Sequence, residues 1–279
     1  MSLLVGQIDY ANCTPIFTAL RKNFDCSGYR FIHGVPSRLN LLLSEGKIDL
    51  SPSSSIVYGR SCGQYLLLPD LSITADGPVR SVLLFSRLPF ESLGGETICL
   101  TSDSETSVVL LKVILAKYYG FTNRFVVRRV DTPADALRDC TAVLVIGDTA
   151  LKWASSGLSL YRYDLGEMWH SLTGLPFVFA LWILRKDAAE AKYEEVARLS
   201  RQLGKAKRIA VSSLESIGEN CSERGWMDRE DLIRYWESIS YDLSARHIDG
   251  VTAFFRGAME VGILTKEPEI RFFDASGGE

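Results

Sequence analysis

Three features of the 279-residue chain predict an α/β protein of two lobes, a clamshell with mixed sheets and helices on both faces. Short β-type runs alternate with helical patterns from residue 3 onward. Two long strands, expected over 80–87 and 177–184, bracket a self-contained βα segment of about 90 residues. Hydroxyl-rich helix starts recur in both halves, at 51–58 and 101–107. Strands that lead into and out of an inserted segment wire a clamshell. Residues 1–84 plus 182–279 are therefore expected in lobe one, and 85–181 in lobe two.

The elements follow in chain order. Residues 3–9 read as a strand, and Asn12 lies at its C-terminal edge. Thr14 and Pro15 then open a helix, with proline at the first helical position, where no N–H is needed. Residues 29–33 make a second strand, 36–45 an amphipathic helix stopped by Gly46, and 47–50 a short third strand. That strand runs into the first hydroxyl-rich start, which carries Ser53, Ser54 and Ser55. A strand is expected over 65–69, an irregular segment with a Gly-Pro turn over 70–78, and a long strand over 80–87 with Ser81 at its beginning.

Residues 97–119 form a strand, a polar turn and a helix whose apolar positions include Val109, Leu110, Val113, Ile114 and Tyr118. Gly120 ends that helix. Thr101, Ser102, Ser104, Thr106 and Ser107 crowd its start, where one cap would need one hydroxyl. Free N–H groups and the helix dipole make such a start an anion cradle. A strand over 125–130, a short helix over 132–139 and a buried strand over 142–146 come next. Gly147 and Asp148 sit at that strand's C-terminal edge, where open α/β sheets bind ligands; Asp148 is equally suited to cap the following helix. The apolar run 175–184 reads as a buried strand. Residues 185–279 hold 15 Lys/Arg and 18 Asp/Glu, against 16 and 16 in the first 184, which marks a tail of surface helices. These are placed at 187–203, around 206–220, from Asp228, and over 248–261, with a last strand at 270–273. The apolar stripes of the last two helices, Leu232, Tyr235, Trp236 and Ile239, then Val251, Phe254, Phe255 and Met259, read as core.

Composition excludes several functions. At 47% hydrophobic and 23% charged residues the chain is an ordinary globular protein. Its net charge of −3 and lack of a basic block disfavour nucleic acid as a partner. Its longest uncharged apolar run, 175–184, is too short to span a bilayer. With no basic segment at the start and Asp9 within it, a cytoplasmic protein without a secretion signal is expected. The six cysteines are scattered and the three histidines far apart, so neither a disulfide framework nor a metal site is expected. Nucleotide-binding glycine motifs and the serine-hydrolase elbow are absent.

A small organic anion with two separated negative groups therefore suits the chain. Ser53, Ser54 and Ser55 would face Ser104, Thr106 and Ser107 across one cleft, near Gly147 and Asp148. Asp9, Tyr10, Asn12, Ser81 and Asp148 lie at strand ends, where they could orient or move protons. The residues alone do not choose among them.

Six segments carry a family resemblance: Asp9-Tyr-Ala-Asn-Cys-Thr-Pro15, Gly46-Lys-Ile-Asp-Leu-Ser-Pro52, Asp76-Gly-Pro-Val-Arg-Ser81, Thr101-Ser-Asp-Ser-Glu-Thr-Ser107, Ile146-Gly-Asp-Thr-Ala-Leu151 and Thr173-Gly-Leu-Pro-Phe-Val-Phe-Ala180. As an ordered set over residues 3–184 they resemble the chorismate dehydratases of the futalosine route to menaquinone. The resemblance implies a fold similar to type II periplasmic binding proteins, and a cofactor-free lyase that removes water from chorismate to give 3-(1-carboxyvinyloxy)benzoate. It places the family's motif asparagine on Asn12 and its motif serine on Ser81, to orient the substrate and its leaving hydroxyl. The proton acceptor is then the substrate's own enolpyruvyl carboxylate or, alternatively, Asp148. Two other readings stand beside this one. A sister enzyme of the pathway makes 1,4-dihydroxy-6-naphthoate and would want His33 or His170 as base. A non-catalytic protein of this fold would only bind a small carboxylate.

Overall fold

Two five-stranded mixed sheets carry the chain; the computed structural model describes residues 2–275. The strands are β1 (Leu3–Ile8), β2 (Tyr29–Gly34), β3 (Leu50–Ser54), β4 (Tyr65–Ala75), β5 (Val82–Ser86), β6 (Thr97–Thr101), β7 (Arg124–Arg128), β8 (Ala142–Ile146), β9 (Tyr161–Asp164) and β10 (Phe177–Arg185). The first sheet has the order β2-β1-β3-β10-β4 and the second β7-β6-β8-β5-β9. In the first, β1 runs parallel to β2 and β3, while β10 is antiparallel to β3 and β4. In the second, β6 runs parallel to β7 and β8, while β5 is antiparallel to β8 and β9.

The two orders correspond. In each sheet the fourth strand is the one the chain makes on arriving from the other sheet. The chain leaves the first sheet between Ala75 and Val82 and returns between Thr173 and Phe177. The expected lobe boundaries, 84/85 and 181/182, fall inside β5 and β10. Each of these strands is wholly buried or nearly so, because helices cover both faces of its sheet.

The helices are α1 (Thr14–Asn23), α2 (Pro36–Ser44), α3 (Ser55–Ser61), α4 (Glu105–Val113), α5 (Pro133–Ala136), α6 (Gly147–Ala154), α7 (Leu165–Thr173), α8 (Lys186–Ala191), α9 (Tyr193–Ser212), α10 (Leu214–Glu219), α11 (Arg229–Glu237) and α12 (Ala245–Glu260). Pro15 and Pro36 sit in the first turns of α1 and α2, as their missing N–H allows. One turn of π-helix, Ile114–Tyr118, prolongs α4, and Gly120 follows with φ +68°. The tail ties the lobes together. Phe254 of α12 packs edge-on against Trp169 of α7 (6.4 Å) and against Phe177 of β10 (5.0 Å). Among the described residues, no helix is long and apolar enough to cross a membrane.

Several elements differ from expectation. β3 is longer than 47–50 and includes Ser51–Ser54, so the first serine run is mostly strand. The segment 70–78 is not irregular throughout: β4 continues to Ala75. A register shift opposite Leu181 and Ile183, with Asp70 at φ +56°, makes a bulge that looks like a turn in sequence. The 80–87 strand is shorter, Val82–Ser86, and Ser81 precedes it. β9 and α7 were not expected as separate elements. Two expected tail helices become α8, the twenty-residue α9 and α10. Residues 270–273 contribute only a bridge, Phe272 to Leu67.

Candidate active site

Between the sheets lies a small pocket, with a free volume of about 50 Å³. The C-terminal ends of β1, β3 and β8 reach it, with the start of α4 and the segment before β5. Asn12, Ser54, Ser81, Ser104, Ser107 and Gly147 all line it. Ile8, Ile73, Val79, Val82, Ile146 and Phe179 supply apolar walls. None of the lining residues is charged at neutral pH.

The lobes are bonded to each other around this pocket. The Ser37 N–H donates to the Asp103 carbonyl at 3.1 Å, and the Ile56 N–H to the Thr106 hydroxyl at 3.2 Å. The Asn40 amide donates to Glu105 at 3.0 Å while its oxygen accepts the Ser54 N–H at 3.2 Å. The cleft is closed in this structure.

The expected hydroxyls divide into two groups. Ser54, Ser104 and Ser107 open onto the pocket. Ser104 caps α4 by accepting the Ser107 N–H at 3.2 Å, and donates to the Ser107 hydroxyl at 3.1 Å. That leaves the Ser107 hydrogen free for a ligand. Ser53, Ser55 and Thr106 do not line the pocket. Ser53 is fully buried in β3, Ser55 donates to the Val178 carbonyl at 2.7 Å, and Thr106 holds the Ile56 N–H. Thr101 is engaged by the Asp103 N–H, and Ser102 is exposed. Six hydroxyls on two opposed helix starts thus reduce to three.

Asn12 sits in a single 3-10 turn, Ala11–Cys13, between β1 and α1. Its side-chain oxygen is buried and has no hydrogen-bond partner. A buried polar atom left unpaired by the protein is a natural ligand contact. The turn itself is held on three sides. Asp148 Oδ1 accepts the Ala11 N–H at 3.0 Å, Trp236 Nε1 donates to the Ala11 carbonyl at 2.7 Å, and the Tyr241 hydroxyl donates to the Asn12 carbonyl at 2.7 Å.

Ser81 is fixed as firmly. The Gly147 N–H donates to its carbonyl at 2.8 Å. The Tyr235 hydroxyl donates to its Oγ at 2.9 Å, and Oγ donates to the Val79 carbonyl at a long 3.4 Å. Gly147 is required twice over: its φ is +59°, and a Cβ there would lie 2.8 Å from the Tyr10 ring. Tyr10 lines the pocket, and burial raises its phenol well above the usual range, so it stays protonated.

Asp148 lies behind the pocket, not in its lining, and its carboxylate holds the Asn12 turn. Burial pushes its pKa up to about 6 and the Glu223 carboxylate adds to this, while the Ala11 N–H and Lys152 oppose. The folded state therefore holds this proton over a pH window in which the unfolded chain has lost it. The stability that this proton confers is complete below pH ~4 and is lost as pH rises through about 6. Asp148→Asn keeps an acceptor for Ala11 and removes the buried charge. It is expected to be more stable than the native protein at pH 7, on the order of 2 kcal/mol, with the advantage gone at pH 4. Denaturant melts at the two pH values check this; an equal difference at both would refute it.

The two histidines proposed as bases are elsewhere. His33 pairs with Asp9 at 2.7 Å and His170 with Asp76 at 2.9 Å, and neither lines the pocket. Among the described residues no three His, Cys, Asp or Glu side chains converge as a metal set would.

A protein family described as menaquinone biosynthesis matches residues 3–260. The chain belongs to this family. It is 32% identical over 266 residues to the chorismate dehydratase of Thermus thermophilus, an alignment that covers 90% of this chain and 93% of that one. It is 29% identical to the chorismate dehydratase of Campylobacter jejuni, covering 86% and 89%. Among solved structures, a protein from Archaeoglobus fulgidus superposes with a TM-score of 0.78 at 18% identity, covering 94% of this chain and 98% of that one. The periplasmic aliphatic sulphonate-binding protein of Escherichia coli gives 0.70 at 14% identity, covering 100% and 94%. The likeness shows the fold, a clamshell of the periplasmic-binding-protein kind.

Sequence reasoning missed what holds the site. Tyr235, Trp236 and Tyr241 read as core, and their rings are core, but their polar ends reach the Asn12 turn and Ser81. An indole N–H or phenol that is buried needs a partner, and that was the available signal.

Proposed function

We propose that the protein is a chorismate dehydratase, a carbon–oxygen lyase that eliminates water from chorismate to give 3-(1-carboxyvinyloxy)benzoate. The observation that carries this reading is a closed, uncharged pocket presenting Asn12 and Ser81 beside Ser54, Ser104 and Ser107, in a member of the menaquinone family. The two groups divide the work. The serines at the ends of β3 and the start of α4 hold carboxylates by hydroxyl and backbone donors. Asn12 and Ser81 hold the ring hydroxyl, and the apolar walls hold the ring. We delimit the clamping lobes at the two crossings, 2–75 with 177–275, and 82–173.

The elimination breaks the ring C–O bond and the neighbouring C–H bond at the carbon bearing the enolpyruvyl ether. Aromatisation makes it downhill, so geometry and polarisation of the leaving hydroxyl are what the protein supplies. Among the described residues, no carboxylate, histidine or lysine lines the pocket. This favours the enolpyruvyl carboxylate of the substrate as the proton acceptor, and disfavours the naphthoate-forming alternative, which needs a protein base. Asp148→Asn separates the two acceptors: turnover within about threefold of native supports the substrate carboxylate, and a loss beyond about 100-fold assigns Asp148.

The test of the reaction is to mix the protein with chorismate and follow loss of the diene absorbance and release of an aromatic product. Binding without turnover would replace the reading with that of a small-carboxylate binding protein.

A further inference from the structure

Ser81 has one hydrogen to give. Its Oγ lies 3.4 Å from the Val79 carbonyl, beyond a good O–H···O bond, and Ser81 lines the pocket. A ligand oxygen would capture that hydrogen at little cost. What keeps Oγ oriented is the 2.9 Å bond from Tyr235. Tyr235 belongs to α11 and is 1% exposed, and its hydroxyl is bonded to Ser81. Its neighbour Trp236 holds the Asn12 turn, so two consecutive residues of one helix set the spacing of Ser81 and Asn12.

Resting on the dehydratase reading, we propose that Tyr235 is a positioning residue for the elimination: its phenol donates to Ser81 Oγ, which directs the Ser81 hydrogen to the departing hydroxyl. A hydroxyl oxygen that accepts a hydrogen bond becomes a stronger donor through its own hydrogen, because the chain of bonds polarises cooperatively. The row Tyr235 O–H, Ser81 O–H, leaving oxygen is therefore stronger at its far end than Ser81 alone. It strengthens most as charge builds on that oxygen, so it acts on the transition state more than on substrate binding. Tyr235 does not itself lose its proton. Full burial, with the Asp148, Cys13 and Asp164 side chains nearby, holds its phenol far above the usual range, and the phenol only donates.

Tyr235→Phe removes one oxygen and keeps the ring. It should lower kcat for chorismate about tenfold, leave KM within about twofold, and leave the shape of the kcat–pH profile unchanged. A purely structural role would lower the folded fraction, read by circular dichroism, with kcat per folded molecule intact. Native kcat in the folded variant overturns the proposal, as does a change confined to KM. Where Tyr235→Phe does not fold, 3-fluorotyrosine placed at 235 keeps the phenol and strengthens its donation. It should raise kcat at constant KM, and unchanged kcat overturns the proposal. If the native protein leaves chorismate intact, the dehydratase reading itself fails. If native turnover is seen and Tyr235→Phe equals it, only the Tyr235 assignment fails.

Discussion

Asn12→Ala and Ser81→Ala should each lower chorismate turnover by about 10²–10³-fold, the range seen when a polarising contact at a developing charge is removed. The two variants should differ in stability, and the difference tests the assignment independently of rate. The Asn12 side-chain oxygen is buried without a partner, so the folded protein loses no hydrogen bond there when the amide is cut away. Asn12→Ala should be as stable as the native protein or more so. Ser81 accepts from Tyr235, and its removal strands a buried phenol. Ser81→Ala should cost about 1–3 kcal/mol of stability. Product formation and thermal melts on the same preparations check both. Turnover within about threefold of native in both variants would remove these residues from the active site.

The fold was readable because periodicity and punctuation are local. Pro15 and Pro36 start helices, Gly120 ends one, and Ala142–Ile146 forms a strand where the apolar run stands. The pocket lining was readable where a motif residue sits at or just beyond a strand end, as Asn12, Ser81 and Gly147 do. It was not readable where facing matters. Sequence alone puts Ser53 and Ser54 in one cradle, yet neighbours in a strand point to opposite faces, and only Ser54 reaches the pocket. Ser55 and Thr106 are drawn off by Val178 and Ile56, partners more than 40 residues away that no local pattern reveals. The tail was classed by its charged surface. Its buried polar tips, Tyr235 OH and Trp236 Nε1, cross 154 and 225 residues of sequence to reach the site.

Asp164→Ala should be the most destabilising substitution near the site, because one carboxylate serves four backbone N–H groups. Oδ1 accepts from Val79 (3.1 Å), Gly166 (2.9 Å) and Glu167 (3.2 Å), and Oδ2 from Arg80 (2.6 Å). Two of these bonds cap α7 and two clamp the crossing that leads into Ser81. The clamp also holds Arg80 at φ +63°, a left-handed conformation that a bulky residue adopts at a cost. Loss of the cap costs about 1 kcal/mol, and each freed backbone bond up to a similar amount. The expected total is about 2–4 kcal/mol, seen as a fall in Tm of about 5–10 °C. Turnover should fall as well, since residues 79–81 lose the frame that aims the Ser81 hydroxyl. Arg80→Gly separates the two effects. Glycine adopts the left-handed conformation without strain, so in the Asp164→Ala background it should recover roughly 1 kcal/mol of stability. It cannot restore the lost anchor, and kcat should stay low. Recovery of kcat in step with Tm would mean that Asp164 acts on the site only by keeping the protein folded.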